Sequence, residues 1–228
     1  MNKIIHKILE LEYFTGDNPV LPAYYTPSSS HLLLLIGDNA TGKSFFARLF
    51  AAYNYYYHTK TEPILVNMSL RTYGGIERAF VFGDESREST GTISLQSVIK
   101  GIATCRSREK NHYLIYDEPD VGLSEGYQMA LGRYVAKFMQ ELPSKTKGVV
   151  ISTHSKHLVR PLLDYNPQHI RFGDRLSLNE WLEQEPKEKS EEELLSLHER
   201  SFSSYRAILD VVKAMEREKE RKKRKRIA

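Results

Sequence analysis

The stretch Leu32-Leu33-Leu34-Leu35-Ile36-Gly37-Asp38-Asn39-Ala40-Thr41-Gly42-Lys43-Ser44 sets the architecture of this 228-residue chain. Five apolar residues in a row predict a strand buried on both faces, as in the middle of a parallel sheet. They run into GxxxxGKS, whose glycines let the backbone turn tightly enough for its N–H groups to converge on phosphate oxygens. Residues 43–57 predict a helix, and a helix N-terminus favours anions. Strand, glycine-rich loop and helix in this order are the context that the pattern requires. Gly37, Asp38, Asn39, Ala40, Thr41, Gly42, Lys43 and Ser44, with Phe45 behind them, are the candidate nucleotide-contacting residues. Lys43 suits a bridge between β- and γ-phosphates, and Ser44 can offer its hydroxyl to Mg²⁺.

Working outward, Tyr113-Leu114-Ile115-Tyr116 predicts a strand that ends in Asp117-Glu118-Pro119. A carboxylate at such a strand end can reach Mg²⁺, and the next one can polarise water. Asp117 takes the metal role and Glu118 the general-base role. A strand ending at an acidic turn is the bland alternative, but the phosphate loop upstream gives the pair its context. Gly148-Val149-Val150-Ile151-Ser152-Thr153-His154 predicts the next strand. Its terminal His154 can hydrogen-bond a γ-phosphate and the attacking water. Alone, such a histidine more often caps a helix or fills a core.

The remaining pattern alternates strands with helices through residue 172. Strands are expected at 8–14, 23–25, 64–68, 78–82 and, at an edge, 169–172; helices at 92–104, 125–142 and 155–163. Alternation of this kind predicts an α/β fold with a largely parallel sheet. Beyond residue 172 the character changes. Ser177-Leu178-Asn179-Glu180 and Ser190-Glu191-Glu192-Glu193 both fit the capping box, predicting helices from about 178 and 191. A last helix is expected over 204–221. Residues 1–172 read as one domain and 173–228 as a helical extension with a basic tail.

The order of these motifs resembles that of the ABC-type ATPases: a Walker A loop at 37–44, a Walker B strand with Asp117 and Glu118, and a switch histidine, His154. Asp117-Glu118-Pro119-Asp120-Val121-Gly122-Leu123-Ser124 is similar to the DEP(E/D)xGLS pattern of the soluble SMC/RecF/OLD-like branch. The expected strand at 8–14 also fits that branch. The resemblance implies a P-loop NTPase fold, ATP and Mg²⁺ as ligands, and a homodimer that sandwiches two nucleotides. Ser89-Thr90-Gly91-Thr92 resembles a degenerate SxG signature, in which Ser89 and Gly91 would contact the partner's γ-phosphate. An ordinary helix cap is the alternative there. Two departures stand out. Only 46 residues separate Lys43 from Ser89, too few for a transporter's helical subdomain or a long coiled coil. No glutamine fits a Q-loop, since Gln96 follows the signature. Stand-alone ATPases of this kind resemble those of bacterial and phage conflict systems, which act with an effector nuclease.

Composition narrows the partners. The formal net charge is +4, yet Arg221 to Arg226 supplies six positive charges, leaving a formal −2 for the rest. A uniformly basic nucleic-acid-binding surface is thereby excluded. The tail keeps three readings: contact with nucleic-acid phosphates, a solubilising helix end, or a nuclear signal in a eukaryotic host. One cysteine, Cys105, excludes a disulfide framework and a multi-cysteine zinc site. No apolar run suits a membrane span or a signal peptide, so a cytoplasmic location is expected. Tyr53-Asn54-Tyr55-Tyr56-Tyr57 fits packing better than a base-stacking platform, whereas Tyr13 or Tyr24 could stack on adenine.

Two functional classes follow. One is an ATPase whose nucleotide-driven dimerisation controls a partner protein or a nucleic-acid transaction. The other is an ATP-occupied sensor or scaffold with negligible turnover.

Overall fold

A computed structural model describes residues 1–15, 19–57, 61–68 and 88–227. The 32–36 run and its flanks form the centre of the molecule. Strand β2 (Leu32–Gly37) is buried along its whole length. Around it lie β1 (Ala23–Thr26), β3 (Glu62–Asn67), β4 (His112–Asp117), β5 (Thr146–Thr153) and β6 (Gln168–Phe172), in the order β1-β6-β2-β5-β4-β3. All neighbours pair in parallel except β1, which runs antiparallel to β6. The protein is thus α/β, with a six-stranded, mostly parallel sheet flanked by helices.

Side-chain alternation along β2 explains why both faces are covered. Leu32, Leu34 and Ile36 face a core built with α3 (Thr90–Ser107) and α4 (Glu125–Gln140). Leu33 and Leu35 face the opposite core, built with α1 (Asn2–Leu9) and α2 (Lys43–Tyr57). Each such fully buried side chain contributes roughly 1.5–3 kcal/mol. Beyond β5 come a short α5 (Lys156–Val159), a 3₁₀ turn (Arg160–Tyr165), α6 (Leu178–Glu183), α7 (Glu191–Leu195) and the long α8 (Leu197–Ile227). Both expected capping boxes are formed, at Ser177 with Glu180 and at Ser190 with Glu193. Leu178, Trp181 and Leu182 of α6 pack into the first core, and Met215 of α8 into the second.

Several expectations need correction. Residues 8–14 are not a strand: α1 occupies Asn2–Leu9 and turns follow. Its buried Ile4, Ile5 and Ile8 form a helical stripe, which outweighs the short alternation after Ile8. Strand β6 is not an edge, because it pairs with β2 on one side and β1 on the other. The 155–163 helix breaks into α5 and the 3₁₀ turn where Pro161 removes a backbone donor. The last helix begins at Leu197, well before 204. The strand expected at 78–82 lies outside the described residues. Among the described residues no helix is long and apolar enough to cross a membrane.

One helix contact is testable by itself. A Cβ on Gly132 of α4 would sit 2.5 Å from the Leu158 carbonyl oxygen. Backbone cannot yield as a flexible side chain can. Gly132→Ala should therefore destabilise the fold by roughly 1–3 kcal/mol despite alanine's better helix propensity. A urea midpoint at or above the parent's would contradict this packing.

Candidate functional site

Parallel pairing aligns three strand ends. Ile36 pairs with Thr153, and Asp117 with Ser152, so β2, β5 and β4 finish at one level. Ligand sites in open parallel sheets lie beyond such carboxyl ends. The 37–44 loop leaves β2 there and enters α2 at Lys43.

Local chemistry closes this loop on itself. The Asp38 carbonyl accepts hydrogen bonds from the Thr41 hydroxyl at 2.8 Å and from the Lys43 ammonium at 2.7 Å. Ala40 and Gly42 adopt left-handed backbone, with φ of 56° and 106°. That conformation costs a residue with a Cβ, so Ala40 holds strain in the loop. Gly37 is required for a different reason: a Cβ there would meet the Phe172 carbonyl oxygen at 2.8 Å. Phe45 is buried behind the loop, edge-on to Tyr13 at 5.3 Å between ring centres.

Lys43 is buried among acids. Burial pulls its pKa below the ordinary lysine value, while Glu118, Asp117, Asp38 and Asp120 pull it back up. An ammonium carries three donors, so the bond to Asp38 does not exhaust it. The Ser44 hydroxyl donates to Asp117 Oδ1 at 2.8 Å. Burial raises the pKa of Asp117, and the Ser44 bond opposes the shift. Hydroxyl and carboxylate together form an oxygen pair suited to a hard cation. Among the described residues no group of three or more His, Cys, Asp and Glu side chains could hold a metal by itself. Mg²⁺ fits such a pair, because it ordinarily takes one or two protein oxygens and completes its shell with phosphates and water.

Glu118 has left-handed backbone, φ 57°, with its N–H bonded to the Ser152 carbonyl at 2.9 Å. A non-glycine residue held in this way stores strain at a place the fold over-determines. Its carboxylate is about one-third exposed, and Oε1 lies 3.9 Å from His154 Nδ1. The structure thus brings Lys43, Ser44, Asp117, Glu118 and His154 together.

Ser89 and Gly91 lie at the start of α3. Ser89 caps that helix by accepting from the Thr92 N–H at 3.2 Å. Gly91 packs against the Gly122 backbone, and a Cβ on it would sit 2.7 Å from the Gly122 oxygen. The Ser94 hydroxyl bonds the Val121 carbonyl at 2.6 Å, tying α3 to the segment after Glu118. Gln96 donates to Glu88. Tyr24 carries the Arg175 guanidinium over its ring at 4.9 Å. In the tyrosine cluster, the Tyr56 and Tyr57 hydroxyls donate to Glu216 and Glu218, so it packs α2 against α8. The backbone of 221–226 continues α8.

Three residues escaped the sequence reading. Asp120 is buried and accepts from the Thr153 hydroxyl at 2.9 Å. Its place in the Asp117–Asp120 acidic run was a usable signal. Arg171 is buried on β6, paired with Asp174 at 2.7 Å and lying 5.2 Å from the Trp181 ring. An arginine inside a buried strand was the clue there. Lys189 reaches Asp38 Oδ2 at 2.8 Å, and this bond holds the Asp38 carboxyl below its usual range. Nothing local in the sequence announces that contact.

No protein-family model matches this chain, and no curated protein matches its sequence.

Proposed function

We propose that the protein is a Mg²⁺-dependent ATPase of the ABC type, which uses nucleotide-driven pairing of two subunits to control a partner. The observation that carries this reading is the Ser44–Asp117 hydrogen bond at the mouth of the 37–44 loop, with Lys43 and Glu118 beside it. The loop's backbone donors and Lys43 bind and orient the phosphates. Ser44 and Asp117 would hold Mg²⁺, which would neutralise phosphate charge and polarise the terminal phosphoryl group. Glu118 accepts a proton from water as the water oxygen bonds to the γ-phosphorus. The bond from that phosphorus to its bridging oxygen breaks, and ADP leaves with the electron pair. His154, whose Nδ1 lies 3.9 Å from Glu118 Oε1, would orient that water. Ser89, exposed at the start of α3, suits contact with a second subunit. The pairing, an effector-protein partner and nucleic-acid contact through Arg221 to Arg226 belong to the same proposal.

The test is phosphate release by the full chain, with and without Mg²⁺, alongside its mass in solution with and without ATP. The expected result is Mg²⁺-dependent release and an ATP-dependent doubling of mass. Absence of ATP binding at millimolar concentration would overturn the whole reading. Binding with a constant monomer mass would overturn the pairing.

A further inference from the structure

A cleft of about 350 Å³ opens beside the 37–44 loop. Asp38, Asn39 and Thr41 of the loop line it, as do Leu194 and Leu197, which stand among the charged Lys189, Glu193 and Arg200. These two groups of lining residues come from distant parts of the chain. The Lys189–Asp38 ion pair at 2.8 Å joins them. Its volume lies within the roughly 300–1,000 Å³ range of small-molecule sites. Leu194 is 63% exposed although it borders this cleft, so an apolar side chain stands open beside the 37–44 loop. Neither Tyr13 nor Tyr24 lines the cleft. Tyr13 packs on Phe45, and Tyr24 lies under Arg175.

We propose that α7 and the start of α8 build the nucleoside half of the nucleotide site, the base and ribose seating between the loop and Leu194 and Leu197. This rests on reading the 37–44 loop as a triphosphate site. Phosphates on the loop leave the uncharged remainder of the ligand to find an apolar surface within reach. Leu194 and Leu197 supply that surface, while Asn39 and Thr41 offer polar groups to the same cleft. The C-terminal extension is then part of the binding site, and Lys189 is the residue that positions it.

The test compares Mg²⁺ with ATP and Mg²⁺ with inorganic tripolyphosphate, binding to the full chain and to its Leu194→Gln variant. Leu194 is largely exposed, so the substitution spares the core. The expected result is a roughly tenfold or greater loss of ATP affinity, the usual scale for an apolar wall, with tripolyphosphate affinity unchanged. Amide exchange across 190–197 should also slow with ATP and not with tripolyphosphate. If the parent binds both ligands and the variant keeps its ATP affinity, the nucleoside assignment fails alone. Equal loss of both ligands also overturns it, since the segment would then act on the loop. If the parent binds neither ligand, the triphosphate reading fails and takes this inference with it.

Discussion

Glu118→Gln should lower ATP turnover by about 10²- to 10⁴-fold, the usual worth of a positioned general base. The amide is isosteric with the carboxylate and keeps the left-handed backbone at φ 57°, so the local strain is unchanged. Only the proton acceptor is lost. Nucleotide affinity should therefore hold within a few fold. Single-turnover phosphate release, measured beside equilibrium binding, separates the two quantities. Equal rates for parent and variant would remove Glu118 from the chemistry. A parallel fall in binding would mean that the carboxylate matters through the nearby Lys43 charge instead.

Lys43→Ala should cost the phosphates their one buried cation from the loop. Removing a preorganised donor from a water-excluded site typically costs about 10²- to 10³-fold, and the same scale is expected here in nucleotide affinity. Titration with a fluorescent nucleotide measures it, and a change under threefold would show that the ammonium does not meet phosphate. The wild-type lysine adds a pH signature. Burial lowers its pKa from 10.5, so the free site loses the ammonium earlier than an ordinary lysine would. Phosphate binding favours the charged form. Affinity should thus decline as pH rises through that lowered value, and Lys43→Ala should abolish the decline.

Most of the framework was legible from residue order because its signals are local. The 32–36 run, the glycine punctuation after it and the Lys43–Tyr57 helix lie within one short stretch. The two capping boxes were legible for the same reason, since serine and glutamate three residues apart satisfy each other's backbone. Misreadings came where a short pattern fits two periods. At the N-terminus, the few alternating residues after Ile8 suggested a strand, whereas the stripe that packs runs backwards through Ile5 and Ile4. The place of β6 was hidden because strand order depends on pairing between segments far apart in the chain.

The sequence by itself determined the local chemistry at the strand ends: a glycine-punctuated loop leading into Lys43 and Ser44 after one strand, and Asp117 and Glu118 closing another. Glycine conformation, strand burial and motif spacing are written in neighbouring residues. Tertiary structure alone decided what surrounds that chemistry. It put Glu118 into left-handed backbone by bonding it to β5, inserted β6 beside β2, and laid Lys189 on Asp38 so that α7 and α8 wall a cleft at the loop. These depend on how cores close over both faces of the sheet, and burial of distant apolar surfaces carries no local mark.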